Sequence, residues 1–173
     1  MLYNVSSILK EHTGGSREDD VDDDVQIDGE THHLTGHVRL DRTPRGILVR
    51  AQLQGHIDAT CSRCLQPATL PIDMRIEEEF IPTIDVITGV RVETQEGEED
   101  AYRITLRHEL DLREAVRQYW AMALPMAPVC REDCAGLCPL CGKEMSADHA
   151  CAEQPVDERW AKLARLREAK GAG

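Results

Sequence analysis

The sequence predicts an α+β protein, with an antiparallel β-sheet or small barrel packed by one helix, then a C-terminal zinc-knuckle segment and a short terminal helix. Three observations support this fold class. Apolar and polar residues alternate over residues 47–61, as in a half-buried strand. Apolar residues recur at helical spacing after Asp111. Six of the seven cysteines fall into pairs spaced like metal ligands.

The composition predicts one core domain with a small appended module. Of the 173 residues, 41% are apolar but only 3% are aromatic, so the interior must be aliphatic. A bound metal would help to stabilise so lean a core. We expect a core domain over residues 1–128 and a cysteine-rich, zinc-binding tail with the terminal helix over residues 129–173.

The first part of the chain has few strong structural signals. Residues 2–9 are expected to form a strand or a short helix. Residues 12–24 are polar and acidic and contain glycine, which predicts a loop. Residues 37–40 form a short predicted strand, and residues 41–46 turn the chain back.

Two alternating segments follow, and they are expected to pair as a hairpin. Residues 47–61 form one strand, or a pair broken near Gly55. After the turn that contains Cys61 and Cys64, alternation resumes with Leu70, Ile72, Met74 and Ile76 facing inward. A hairpin joined by a Cys-x-x-Cys turn resembles a zinc knuckle. Further short strands are expected at residues 84–92 and 102–106.

A helix is predicted to begin at Asp111, whose carboxylate can cap free amide hydrogens, with Glu114 in the place of a capping-box acid. Pro125 ends it. Residues 157–170 are expected to form the terminal helix. The inward face of the first helix is Leu112, Val116, Tyr119 and Ala123, with Trp120 as a further core residue.

The cysteines predict a structural zinc site. Cys138 and Cys141 are the firmest pair, because Cys-Pro-Leu-Cys-Gly is a knuckle sequence. Their expected partners are Cys130 and Cys134, whose spacing fits one helical turn. The possible alternative ligands are Cys61, Cys64, His149 and Cys151.

Disulfides, catalysis and redox chemistry compete with this interpretation. The start of the chain lacks a secretory signal and no segment is long enough to span a membrane, so we expect a cytoplasmic protein with reduced thiols. A thiolate-rich site is a poor catalytic zinc site, and no HExxH or GxSxG motif is present. We therefore expect no enzyme. The alternative function is a zinc-thiolate, redox-responsive interaction protein, in which oxidation ejects the metal.

Charge is unevenly distributed along the chain. The net charge is −12, which disfavours nonspecific binding to nucleic acid. Four arginines nevertheless lie close together and predict a local basic surface for RNA or another partner. They are Arg39, Arg42, Arg45 and Arg50.

Several motifs resemble the bacterial YceD family, the large ribosomal RNA subunit accumulation proteins. The resemblance rests on Asn4-Val5-Ser6, on residues 60–65 (Thr-Cys-Ser-Arg-Cys-Leu) with Pro67, on residues 123–142 and on residues 156–163. It implies a non-enzymatic factor that promotes accumulation or maturation of large-subunit (23S) rRNA in ribosome biogenesis. The implied partner is a large-subunit rRNA precursor or a basic ribosomal protein, with zinc as a stabilising addition in cysteine-rich members.

Overall fold

Four long antiparallel strands in sequence form most of the computed structural model, which describes residues 1–93, 101–146 and 148–151. Short strands and two helices lie at either end of them. The elements are β1 (Leu2–Asn4), α1 (Ser6–Leu9), β2 (Ser16–Ile27), β3 (Glu30–Arg42), β4 (Ile47–Thr60), β5 (Pro67–Pro82), β6 (Arg103–Ile104), β7 (Glu109–Asp111) and α2 (Arg113–Ala123).

The strands form two sheets. The larger has the order β2-β3-β4-β5-β6; its first four strands are antiparallel neighbours, and β6 runs parallel to β5. β1 and β7 form a separate antiparallel pair. The predicted antiparallel sheet is therefore confirmed. Among the described residues its pairing is that of an open sheet with β2 and β6 as edges, so the barrel alternative is not supported.

Strand β4 confirms the predicted alternation and continues without a break through Gly55. Its inward residues from Ile47 to Gly55 are buried and the residues between them are mostly exposed. A Cβ atom at Gly55 would lie 2.7 Å from Leu34 Cδ2 and 3.0 Å from Trp120 Cζ3. The glycine thus gives room for these two side chains to pack on the sheet.

The acidic segment expected to be a loop is instead the edge strand β2. Val21, Val25 and Ile27 point into the core at alternate positions. The carboxylates of Asp20 and Asp22 lie on the opposite, solvated face. The prediction of a loop holds for residues 12–15 but was wrong for residues 16–24. An edge strand needs only sparse apolar residues, and charges on it discourage pairing with other chains.

Helix α2 packs on the larger sheet through Ala115, Val116 and Trp120, which are buried in the main core. Its N-cap residue is Leu112, one position later than predicted, although the Asp111 carboxylate still accepts a hydrogen bond from the Arg113 amide (3.0 Å). The helix ends at Ala123, before Pro125 as predicted. The capping-box role predicted for Glu114 was wrong, since its carboxylate pairs with Arg117 and Gln118.

The remaining predictions have mixed outcomes. Residues 2–9 contain both a strand and a short helix, and the predicted strand at residues 37–40 is the end of the longer β3. Residues 84–92 contain only an isolated bridge between Ile84 and Arg91. Residues 102–106 contain the two-residue β6. The predicted terminal helix at residues 157–170 lies outside the described residues.

Substitution of Gly36 should test the tight pairing of β3 with β4. A Cβ atom there would lie 2.0 Å from the backbone oxygen of Gln52, so Gly36→Ala must displace the strand. We expect the free energy of unfolding to fall by about 1–3 kcal/mol, measured by urea denaturation. Gly89→Ala is the matched control. Gly36 and Gly89 both have a positive φ (151° and 69°), but a Cβ atom at Gly89 would meet no other atom within 4 Å. An equal effect of both substitutions would contradict the steric explanation.

Candidate metal centre

The connection between β4 and β5 is a tight knuckle that carries Cys61 and Cys64. The Cys61 amide donates to the Gln66 carbonyl (2.8 Å), and the Leu65 amide donates to the Cys61 carbonyl (2.9 Å). Leu65 has a φ of 61°, a left-handed conformation that an unbranched Cβ tolerates better than a branched one. Both cysteines are buried.

The segment after helix α2 returns to this knuckle. The Ser62 amide donates to the Pro128 carbonyl (2.7 Å). The Arg63 guanidinium donates to the carbonyls of Glu132 (2.9 Å) and Cys134 (3.1 Å). These hydrogen bonds hold the segment that carries Cys130 and Cys134 against the β4–β5 connection.

Four sulfurs meet where these two parts of the chain touch, and we call them the buried cluster: Cys61, Cys64, Cys130 and Cys134. Their Sγ atoms all lie within 4.8 Å of one another. The Cys61–Cys134 and Cys64–Cys130 Sγ separations are 3.9 and 3.8 Å. Tetrahedral zinc with Zn–S bonds of about 2.3 Å would place two sulfurs about 3.8 Å apart, whereas a disulfide bond is about 2.05 Å long. The spacing therefore fits a shared metal ion.

The segment around Cys138 and Cys141 repeats the same knuckle. The Cys138 amide donates to the Lys143 carbonyl (2.7 Å), and the Gly142 amide donates to the Cys138 carbonyl (2.8 Å). Gly142 has a φ of 71°, at the position that corresponds to Leu65. The two Cys-x-x-Cys turns thus have the same backbone hydrogen bonds and the same left-handed residue.

The second knuckle belongs to a separate group, which we call the outer cluster: Cys138, Cys141, His149 and Cys151. Its ligand atoms also lie within 4.8 Å of one another. The Cys141 Sγ and His149 Nε2 atoms are 3.5 Å apart. Cys138 is buried, Cys141 is exposed, and His149 and Cys151 are half-buried. Both clusters could hold a metal ion.

The backbone favours a thiolate at the first cysteine of each knuckle. The amides of Cys64 and Cys130 lower the pKa of Cys61 to about 6, and those of Cys141 and Leu140 lower the pKa of Cys138 to about 6. One cysteine of the second ligand pair in each cluster shows the opposite shift. The thiol of Cys134 raises the pKa of Cys130 to about 12, and that of Cys141 raises the pKa of Cys151 to about 11. Several thiolates can share such a space only beside a cation.

The predicted ligands are distributed over two clusters. The expected partners of Cys138 and Cys141 were Cys130 and Cys134, but the structure brings that second pair to Cys61 and Cys64. All four alternative ligands lie in one cluster or the other. A sequence signal for this division exists, because each of the two Cys-x-x-Cys knuckles needs its own second pair of ligands. Metal binding by these residues stays a prediction.

Comparison with known proteins identifies the family. Residues 49–167 match the family described as "Large ribosomal RNA subunit accumulation protein YceD", which is well over half of the chain. The chain belongs to the YceD family. The match includes both clusters, whereas three of the four predicted RNA-contacting arginines precede it.

Relatives of this YceD protein occur in mycobacteria. Uncharacterized proteins of Mycobacterium bovis and Mycobacterium tuberculosis are 30% identical over 129 residues, which is 75% of this chain and 59% of theirs. An uncharacterized protein of Mycobacterium leprae is 27% identical over 126 residues, which is 73% of this chain and 55% of that protein. The chain thus spans somewhat more than half the length of these relatives. No solved structure matches it.

The four arginines predicted to contact RNA lie around the β3–β4 hairpin of this YceD protein. Arg39 and Arg50 face each other across the two strands. Arg42 is half-buried and donates to the carbonyls of Thr43 and Gly46, the latter at 2.9 Å. Arg45 is exposed in the connection between the strands. The structure thus brings two of the four directly together.

Carboxylates neutralise this arginine pair. Arg39 contacts Glu18 and Asp41, each at 2.8 Å. Arg50 contacts Asp41 at 2.6 Å and Glu77 at 3.1 Å. Three carboxylates therefore surround two guanidinium groups, and this surface is not the basic patch that the sequence suggested.

The solvated face of strands β2–β5, which we call the outer face, is acidic as a whole. Strand register and alternation place its residues in rows across the sheet. The hydrogen bond with Asp24 (2.9 Å) raises the pKa of the His33 imidazole on this face. Carboxylates nevertheless outnumber arginines on this face. Its charged residues are Glu18, Asp20, Asp22, Asp24, Asp41, Asp58, Asp73, Glu77 and Glu79 against Arg39, Arg50 and Arg75.

A groove of about 760 Å³ opens between α2 and the strand ends nearest to it. Trp120 and His32 line it with their rings 4.4 Å apart. The groove holds none of the metal-ligand clusters found among the described residues.

Among all residues that the structure describes, no helix is both long and apolar enough to cross a membrane.

Arg63 should be the residue that positions the returning segment. Replacing it with alanine removes two hydrogen bonds from a charged donor to the carbonyls of Glu132 and Cys134. We expect amide hydrogen exchange over residues 128–136 to become about tenfold faster in Arg63→Ala, measured by mass spectrometry. Arg131→Ala is the control, because Arg131 pairs with the exposed Asp133. Unchanged exchange in Arg63→Ala would show that other contacts hold the segment.

Proposed function

We propose that this YceD protein is a non-enzymatic ribosome biogenesis factor that promotes accumulation or maturation of large-subunit rRNA. The family match over residues 49–167 carries this proposal. In the mechanism we propose, the protein works by binding an assembly intermediate and keeping it in a productive state. The outer face would supply the contact, and a zinc-stabilised tail would complete the fold.

We propose a basic ribosomal protein as the direct partner on the pre-ribosome. The acidic outer face supports this choice, since carboxylates such as Asp20 and Asp22 would attract lysine-rich surfaces and repel phosphate. The side chains of Asp20 and Asp22 contact His37 (2.6 Å) and His33 (3.3 Å) but are 88% and 81% exposed, so a partner can reach them. Direct phosphate contact by Arg39, Arg42, Arg45 and Arg50 is the alternative. It would require Arg39 and Arg50 to exchange their carboxylate partners for phosphate.

Charge substitutions on the outer face should distinguish the two partners. We expect Asp20→Lys/Asp22→Lys to weaken co-sedimentation with large-subunit precursors about tenfold on sucrose gradients of cell lysate, because lysines would repel a basic protein. Arg39→Gln/Arg50→Gln should leave it unchanged or strengthen it. Raised salt should weaken the wild-type association.

The control for these variants is Glu11→Lys/Glu30→Lys, which makes the same change of charge away from the outer face. Circular dichroism would verify that every variant is folded. The opposite pattern, with stronger sedimentation of the aspartate variant and loss in the arginine variant, would favour direct RNA contact. Absence of the wild-type chain from all ribosomal fractions would refute the assembly role.

We propose further that zinc in the buried cluster has a structural role. A zinc ion held by Cys61, Cys64, Cys130 and Cys134 would dock the tail that begins at residue 129 onto the core of residues 1–128. Four thiolates leave no coordination position for a substrate or an activated water molecule. This closed ligand set supports a structural ion over a catalytic one.

The redox-responsive alternative has weaker support at this cluster. Cys61, Cys64 and Cys134 are 0%, 3% and 6% exposed, and only Cys130 is exposed. An oxidant would reach buried sulfurs slowly. Zinc that stays bound during mild peroxide treatment, without new disulfides by mass spectrometry, would argue against this alternative.

Loss of the buried zinc should destabilise the whole fold. A cross-link between residues 61–64 and 130–134 closes a loop for which chain entropy predicts about 4 kcal/mol. We expect Cys61→Ser, or chelation of the wild type, to lower Tm by roughly 10 °C, measured by calorimetry under reducing conditions. Ser62→Ala, in the same turn, should leave Tm nearly unchanged. A Tm that changes neither in Cys61→Ser nor on chelation of the wild type would refute a structural zinc at the buried cluster.

A further inference from the structure

The outer cluster is a second knuckle-based set of donors, separate from the site proposed above. Its Cys138–Cys141 turn has the same backbone hydrogen bonds and left-handed residue as the Cys61–Cys64 turn. Each knuckle meets a different second pair of donors. We propose that the outer cluster binds a second, independent zinc ion through three thiolates and the imidazole of His149.

The geometry of the donors fits this ion. Zn–S and Zn–N bonds of about 2.3 and 2.05 Å at tetrahedral angles would separate a sulfur from a nitrogen by about 3.6 Å. The observed Cys141 Sγ–His149 Nε2 distance is 3.5 Å. All four donor atoms lie within 4.8 Å of one another. A simple thiol–imidazole hydrogen bond would explain Cys141 and His149 but would not require Cys138 and Cys151 to converge on the same point.

Local backbone contacts arrange the loop between the two ligand pairs. The Met145 amide donates to the Gly136 carbonyl (2.9 Å), and Leu137 and Glu144 form an isolated bridge. The His149 amide donates to the Ser146 carbonyl (3.0 Å). These contacts lie within residues 136–149, so the outer cluster can assemble without help from the sheet.

The two ions would therefore have different structural consequences. The buried cluster joins parts of the chain that are far apart in sequence, whereas all ligands of the outer cluster lie within residues 138–151. Closing a short loop stabilises less than closing a long one. The outer ion would order its own segment and affect the stability of the sheet little. It is also the more accessible ion, because Cys141 is exposed and His149 and Cys151 are half-buried, whereas three of the four cysteines of the buried cluster are buried.

Zinc stoichiometry of the full chain tests this proposal. We expect the wild type, purified under reducing conditions with zinc, to retain two zinc ions per chain by inductively coupled plasma mass spectrometry. Cys138→Ser/Cys141→Ser should retain one, with a Tm close to that of the wild type. Cys61→Ser/Cys64→Ser should also retain one if it folds, but the proposal does not depend on that variant.

Cobalt substitution identifies the ligands. The wild type and its variants would each be loaded with Co²⁺. Compared with the wild type, His149→Cys should shift the visible absorption of one of the two ions toward that of an all-thiolate site. His149→Ala should weaken the absorption of that ion. His56→Ala is the control, because His56 is an exposed histidine outside both clusters. Any of three results would overturn the proposal: a single zinc ion in the wild type, two ions retained by Cys138→Ser/Cys141→Ser, or a Co²⁺ spectrum that does not change when His149 is substituted. Failure to find ribosomal association would not affect it.

Discussion

The convergence of four cysteine sulfurs at the β4–β5 connection is the constraint on which the position of the C-terminal segment depends. Val129 is the one partly buried apolar residue packed against the buried cluster in the described part of the chain, and the cluster is separate from the main core. Apolar burial is thus too small to hold the segment. A few hydrogen bonds from Ser62 and Arg63 add modest stability. Sulfur–metal bonds would supply the missing free energy.

The same crowding of thiols explains why a cation suits both clusters. Backbone amides favour a thiolate at Cys61 and at Cys138, while neighbouring sulfurs raise the pKa of Cys130 and Cys151. A divalent cation would reverse the second effect, because it attracts every thiolate at once. The structure thus combines pre-formed amide donors with thiolates that repel one another, and a metal ion would neutralise that repulsion.

The outer face relates the fold to its proposed work in ribosome biogenesis. The sheet buries its aliphatic side against α2 and leaves the other side to charged residues. Carboxylates pair with Arg39 and Arg50 inside this face and remain in excess along β2. The excess protects an edge strand from pairing with other chains. The same excess of carboxylates is the basis for the basic partner proposed above.

Most of the fold could be predicted from local sequence patterns. Alternation in residues 47–61 predicted β4, and Pro125 predicted the end of α2, because side-chain period and proline geometry act within a few residues. The acidic strand β2 was missed, since its three buried residues are inward only through pairing with β3. A local sequence pattern predicts a strand poorly where the burial of its side chains depends on a neighbouring strand.

The sequence by itself determined the two knuckles, because a Cys-x-x-Cys turn followed by a left-handed residue is set by backbone contacts over six residues. It did not determine which pair completes each site. Cys130 and Cys134 are closer in sequence to Cys138 than to Cys61, yet they meet Cys61 and Cys64. Only the tertiary structure decided this. The path of the chain after α2 brings Cys130 and Cys134 to the sheet. The turn at Gly136, with a φ of 76°, then directs Cys138 and Cys141 away, so that they pair with ligands from their own loop.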